Sequence, residues 1–390
     1  MSLRYYIFLK DVLMLALTAF GGPQAHIAMM FKLLVEKRRY LTEQDLIELN
    51  ALCNILPGPS STQTITAIGY KIGGPNLAYL TLLVWLLPAS VAMTAAALVI
   101  SYLQQQGVSL KFLRIIQPMA VAYVAYAAYR ISSKVVHTRL AVSLMVVSAI
   151  LSYFFRSPWA YPALLIAGGA ITALHFRQHP KEEDKKLRIQ WANFILYAGV
   201  LITAAVVGAT TSSLPVRLFE NFYRNGSLIF GGGQVLIPLM YTEFVDFKGY
   251  LTAEEFLSGY AIVQALPGPV FSFCSYIGTL TMRNYGIWGQ LLGAFVATVG
   301  IFLPGTFLIF FVIRFWDELK KYRVVRASLE GISAVSSGMV VAAAIMLYHP
   351  IDNTIINVSI VIITFCLLMF TRIPAPVLII SGLLIGFILP

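Results

Sequence analysis

Long runs of apolar residues, following one another with only short polar interruptions, constrain this chain more than any other feature. They fall at roughly 5–31, 46–70, 77–103, 112–130, 140–155, 159–176, 191–210, 218–240, 256–282, 287–313, 327–348, 351–370 and 373–389, about thirteen in all. A helix crossing a bilayer needs about 20 such residues, because each rises ~1.5 Å through a ~30 Å hydrocarbon core. Continuous runs of this length exclude the short alternating strands of a membrane barrel. With 58% apolar residues and 12% charged ones, the chain cannot clothe a water-soluble fold of its size. The expected fold class is an all-α polytopic membrane protein.

A net charge of +11 raises the question of nucleic acid, but its placement answers it. Lys and Arg sit between the apolar runs, as in Glu36-Lys37-Arg38-Arg39 and Lys320-Lys321-Tyr322-Arg323, where they control topology. The partner implied is the lipid bilayer, with no nucleic acid. Cys53, Cys274 and Cys366 lie in apolar stretches without metal-ligand spacing and read as small hydrophobes. Residues 1–20 look like a signal peptide, yet the motif ending that run returns later in the chain, so no cleavage is expected.

That return is part of a duplication. Phe20-Gly21-Gly22-Pro23-Gln24 recurs as Phe230-Gly231-Gly232-Gly233-Gln234, Leu41-Thr42 as Leu251-Thr252, and Leu56-Pro57-Gly58-Pro59 as Leu266-Pro267-Gly268-Pro269. All three matches share one spacing (20 to 230, 41 to 251, 56 to 266). A looser echo, Leu87-Pro88-Ala89 and Leu303-Pro304-Gly305, has drifted by a few positions from that spacing. The domains expected are a first repeat over 1–176, a polar linker over 177–190, a connecting helix over 191–213 and a second repeat over 214–390. If every run crosses, seven crossings separate the copies and they face opposite ways, as inverted-topology repeats. Counted over alternate connectors, about 18 Lys and Arg fall on the amino-terminal side and about 9 on the other. This puts the amino terminus and linker in the cytoplasm and the carboxyl terminus outside. Lys32, Lys37, Arg38 and Arg39 then face outward, against the rule.

The glycine and proline interruptions carry the chemistry. Proline removes a backbone donor and clashes inside a helix, and glycine weakens it further. In lipid, the freed backbone groups need protein, water or a ligand. Four interruptions at repeat-related places therefore predict discontinuous helices lining a central cavity. Near Pro59 a new half-helix should start, its free N–H groups and positive dipole end suited to an anion. Ser60, Ser61, Thr62 and Gln63 add neutral donors there, and neutral donors release an oxyanion as readily as they bind it. The alternative is that these hydroxyls only cap the helix or bond the preceding turn. The expected substrate-binding set is Gly21, Gly22, Gln24, Pro57, Gly58, Pro59, Ser60, Ser61, Thr62 and Gln63, with Gly231, Gly232, Gln234, Gln264, Pro267, Gly268 and Pro269 from the second copy. That copy carries Val270, Phe271, Ser272 and Phe273 after its proline, so fewer hydroxyls.

His26 is a candidate proton carrier, with packing as the alternative. Asp45 and Glu255 are repeat-equivalent and Glu48 lies one turn further on; a proton relay competes with a helix-start role, which their position at a segment edge favours. Lys71 closes the hydroxyl-bearing half-helix and is the expected cation guiding an anion. Arg130, Arg283, Arg314 and Arg372, near segment ends, are expected to snorkel. No Gly-x-x-x-x-Gly-Lys-Ser/Thr loop occurs, so transport should be secondary. The five histidines are scattered, which disfavours an enzyme, and neither metal nor cofactor is expected. A passive channel and a homodimer stay open.

These motifs, from Phe20-Gly21-Gly22-Pro23 through Leu41-Thr42-Glu43 to Leu56-Pro57-Gly58-Pro59-Ser60-Ser61-Thr62-Gln63, with partners at 230–234 and 251–269, resemble the chromate ion transporter family in its long, two-domain form. The resemblance spans nearly the whole chain. It implies a prokaryotic inner-membrane protein with oppositely oriented halves that exports chromate using the proton motive force. The chain departs from the pattern at Asn54, where a glutamine like Gln264 is expected, and at Gly233, which replaces a proline. Size and charge fit chromate, sulfate or molybdate alike.

Overall fold

The computed structural model describes residues 3–157, 159–174, 191–230, 235–315 and 323–388. The linker 177–190 and the second-copy residues Gly231, Gly232, Gly233 and Gln234 lie outside them. Among the described residues the secondary structure is helical throughout, without strands. In chain order come α1 (Leu3–Thr18), α2 (Gly22–Met30) running into a π turn at Phe31–Lys37, α3 (Glu43–Ile55), α4 (Ser60–Gln105), α5 (Ile116–Val135), α6 (Arg139–Phe154), α7 (Ala160–Ala173) and α8 (Ala192–Thr210). They are followed by α9 (Leu214–Gly226), α10 (Leu236–Tyr241) with a π turn at Thr242–Phe247, α11 (Ala253–Ala265), α12 (Phe273–Thr281), α13 (Gly286–Val312), α14 (Arg323–Tyr348), α15 (Ile355–Phe370) and α16 (Ala375–Ile388).

Local sequence explains why α3 and α11 begin and end at repeat-equivalent places. Thr42 and Thr252 accept from the backbone N–H of Asp45 and Glu255, whose carboxylates bond back to the threonine N–H, so each helix opens with a capping box. Each ends before Leu-Pro-Gly-Pro, where Gly58 (φ 118) and Gly268 (φ 104) hold a backbone geometry that side-chain-bearing residues avoid. Downstream, α4 is interrupted at Gly73 and Gly74, whose dihedrals are not helical, so Ser60 begins a half-helix distinct from the long helix after Pro75. The corresponding step in the second half is the short turn Arg283–Tyr285 and Gly286.

The runs 46–70 and 256–282 do not cross as single segments. Asp45 at the start of α3 is ion-paired with Lys71 at the end of the next half-helix, so both ends of the run lie together. Glu255 and Arg283 close the second-half run in the same way. Each arm is ~20 Å long or less, too short for the ~30 Å core. The chain therefore runs inward, turns at the Pro-Gly-Pro tip and returns to where the run began. Runs 5–31 and 218–240 also double back. Arg38 and Tyr40 reach Asp11 in α1 at 2.8 and 2.9 Å. In the second half Phe222 stacks on Phe244 with ring centres 4.7 Å apart. Thirteen apolar runs thus do not make thirteen crossings, because hydropathy measures burial and not direction of travel.

Among the described residues four helical stretches are long and apolar enough to cross a membrane: Ser60–Gln105, Ala192–Thr210, Arg283–Val312 and Ala327–Tyr348. The last, within α14, packs between α6 and α7 of the first half through small residues. A Cβ on Gly331 would strike the Gly168 carbonyl, and one on Gly338 would strike that of Met145. Close backbone approach of this kind is how helices associate where lipid removes the hydrophobic drive. Outward faces carry large apolar groups such as Trp288, Phe370 and Phe387, while Ser60, Ser61, Thr62, Gln63 and Thr64 are buried.

Candidate anion-binding site

Each Pro-Gly-Pro tip meets, inside the protein, the stretch of the other half that ends at Ala19 or Ile229. The Gly58 N–H donates to the Ile229 carbonyl at 2.7 Å, and the Gly268 N–H donates to the Ala19 carbonyl at 2.9 Å. Repeat-equivalent donors thus bond repeat-equivalent acceptors, each across to the other half. The tips also rest on the other half's long helix. A Cβ on Gly58 would sit 3.4 Å from the Gly305 Cα, and one on Gly268 would sit 2.9 Å from the Ala89 Cβ. The looser Leu-Pro echo is therefore the pair of floors on which the tips land. Pro88 and Pro304 lie inside helices and do not break them.

Between these parts lies a small cavity lined by Pro23 and His26 of α2, Pro59, Ser60 and Ser61 at the start of α4, and Pro269, Val270 and Phe271 of the second tip. Two helix N-termini, those of α2 and α4, face it. The first N–H groups of a helix have no partner within it, and together with the dipole they favour negative charge. Neither helix start has a side-chain cap, so its N–H groups are not spent on the protein's own oxygens. The cavity measures about 10 Å³, room for about one water molecule. A tetraoxo dianion needs the tips to part.

His26 is 1% exposed, and its Nδ1 lies 3.1 Å from the Ser61 Oγ. Its ring meets Trp85 edge-on at 5.4 Å, and the Trp85 indole donates to the Thr62 Oγ1 at 3.1 Å. The His26 Nε2 makes no hydrogen bond. When Ser61 donates to Nδ1, Nε2 carries the proton and the ring is a neutral donor. Trp85 was not singled out from sequence; an indole inside an apolar helix, in need of an acceptor for its N–H, was the available signal.

Several expected ligands are engaged elsewhere. Gln63 donates to the Pro57 carbonyl at 2.8 Å and the Gly305 carbonyl at 3.2 Å, clamping the first tip to α13. Gln24 is exposed and accepts from Arg130 at 3.0 Å, pointing away from the cavity. Gln264 lies beside Tyr260 and is absent from the cavity lining, and its Nε2 is buried without a partner. Lys71 and Asp45 bond each other at the hairpin base, so Lys71 is not at the cavity. Glu48 accepts from Gln44 on the surface at 2.9 Å. Glu255 takes Arg283, Gln104 and the Thr252 N–H, a closure role. Among the described residues no cluster of His, Cys, Asp and Glu could hold a metal.

Sequence comparison places these parts in a known context. The profile of the chromate transporter family matches the chain twice, over residues 7–174 and 216–387. A chromate transport protein of Pseudomonas aeruginosa is 27% identical over 84% of this chain and 77% of its own length. A probable chromate transport protein of Synechococcus elongatus is 26% identical over 96% of this chain and 93% of its own. An uncharacterized transporter of Methanocaldococcus jannaschii is 25% identical over 97% and 92%. No solved structure matches the chain.

Proposed function

The chain belongs to the chromate transporter family, and we propose that it is a secondary transporter exporting chromate across a prokaryotic inner membrane, driven by the proton motive force. The observation that carries this reading is the convergence of two uncapped helix N-termini, the Ser60 and Ser61 hydroxyls and His26 on one buried cavity between the halves. Donors without a fixed positive charge suit an oxyanion that must leave again. Hairpin tips held by two cross-half hydrogen bonds, each worth about 0.5–1.5 kcal/mol net, supply a closure that transport can open.

The two copies are read as inverted repeats. Re-entrant hairpins leave five crossings between them: α4 beyond Gly74, α5, α6, α7 and α8. Five is odd, so the copies still face opposite ways. This topology also removes the charge anomaly. With run 5–31 re-entrant, Lys32, Lys37, Arg38 and Arg39 return to the amino-terminal side. Of the 28 lysines and arginines, Lys111, Arg114, Arg156, Arg217, Arg224, Lys248 and Arg283 alone then face the other side. Such an imbalance favours a cytoplasmic amino terminus.

The test is uptake of labelled chromate by inverted membrane vesicles, with sulfate as competitor and an uncoupler as control. Uptake above vector-only vesicles that falls on uncoupling is expected. Sulfate inhibition at equal concentration would make the substrate class broader than chromate. No uptake would sink the reading, and uptake indifferent to the uncoupler would make it a passive channel.

A further inference from the structure

Away from the cavity, the second half holds an unbalanced ion cluster in which Glu243 is buried and Arg224 and Glu220 are partly exposed. The Arg224 Nε donates to Glu220 at 2.7 Å, and its Nη2 lies 3.1 and 3.2 Å from the two oxygens of Glu243. The guanidinium stands over Trp159 at 5.2 Å. Glu243 is 1% exposed. Among the described residues one cation thus faces two carboxylates. The helices packed on α9 cannot supply a second cation: α8 and α13 contain no charged residue. Of the other charges nearby, Arg217 bonds the Thr211 carbonyl, Arg156 lies over Tyr153 and beside Asp246, and Lys248 lies over Phe247. Tyr250, also within reach of Glu243, brings no positive charge.

A buried charge left without compensation costs several kcal/mol. Binding one proton removes it, since a carboxylate and a proton give a neutral carboxylic acid. Independently, Asn221 is 2% exposed, turns its Oδ1 toward Arg224, and leaves its Nδ2 with no partner; the Arg224 Nη1 has none either. Two unfilled buried donors beside the pair provide a seat for a water that carries the proton in and out. The repeat-equivalent place in the first half is balanced: Asp11 faces one guanidinium, Arg38, and the Tyr40 hydroxyl. At the repeat spacing, Asp11 corresponds to Asn221.

We propose that Glu220 and Glu243 share one reversibly bound proton and form the ion-coupling site of the transporter. The proton is assigned to the pair, because both carboxylates face the same guanidinium. Ionisable groups packed inside a membrane transporter mark ion pathways. The proposal rests on the transport reading above. In proteoliposomes, E243Q and E220Q should each lower gradient-driven chromate accumulation by at least about tenfold. Chromate–chromate exchange, which needs no net proton movement, should stay within about twofold of wild type. Retained driven accumulation in both variants overturns the proposal, and so does loss of exchange together with accumulation. If wild type neither accumulates nor exchanges chromate, the transport reading fails, and infrared spectroscopy decides the proton site alone. The acid-minus-alkaline difference spectrum should show a protonated carboxyl band that the E220Q/E243Q double variant lacks; a band unchanged in that variant overturns the site.

Discussion

The two hairpin tips share a backbone and differ in chemistry. Gly58 and Gly268 hold nearly the same φ, each donates to a carbonyl of the opposite half, and each lands on the opposite half's long helix. Beside them the first copy presents His26, Ser60, Ser61 and Thr62, where the second has Leu236, Val270, Phe271 and Ser272. The backbone geometry resists change because left-handed glycine conformations admit no substitute without strain. Both tips border one cavity, so on the proposed reading one set of donors is enough and ligand chemistry need not be duplicated.

The strongest way to break this comparison is to fill the tips. Gly58→Val and Gly268→Val should both abolish transport while the protein stays in the membrane fraction, the backbone strain alone costing about 1–3 kcal/mol. A tip whose valine variant still transports would not be part of the closure. Next come the hairpin bases, compared by thermal unfolding in detergent. Glu255→Gln should destabilise by about 3 kcal/mol, because it leaves Arg283 facing a buried site without its partner. Asp45→Asn, where the pair is more exposed, should cost about 1 kcal/mol or less.

The chemical asymmetry predicts a smaller, directional effect. Ser61→Ala should raise the KM for chromate by about tenfold, the worth of one lost hydrogen bond. Ser272→Ala should leave KM unchanged, since that hydroxyl is spent on the Pro269 carbonyl at 2.8 Å. Equal effects at both positions would mean that the copies contribute alike. Trp85→Phe keeps the ring against His26 and loses only the bond to Thr62; a change in KM of about threefold is expected.

Much of this arrangement was legible in the chain. The Leu-Pro-Gly-Pro and Phe-Gly-Gly motifs marked where helices stop, because proline and glycine act on their own backbone whatever surrounds them. The Leu-Thr pairs marked where α3 and α11 start, since a capping box is local. Side-chain destinations were not legible. Gln24 and Gln63 sit in equally suggestive places, yet one meets Arg130, far along the chain in α5, and the other meets Gly305 in the opposite half. Lys71 read as a cation guiding an anion because its partner Asp45 lies beyond the hairpin turn.

By itself, the sequence determined the solvent, the secondary structure and the places where helices break, because hydropathy, chain stiffness and missing backbone donors are properties of short stretches. Tertiary structure decided which apolar runs turn back, which polar side chains line the cavity and which are spent on clamps. Those outcomes depend on partners distant in the chain, brought close by a fold whose two halves close over each other's tips.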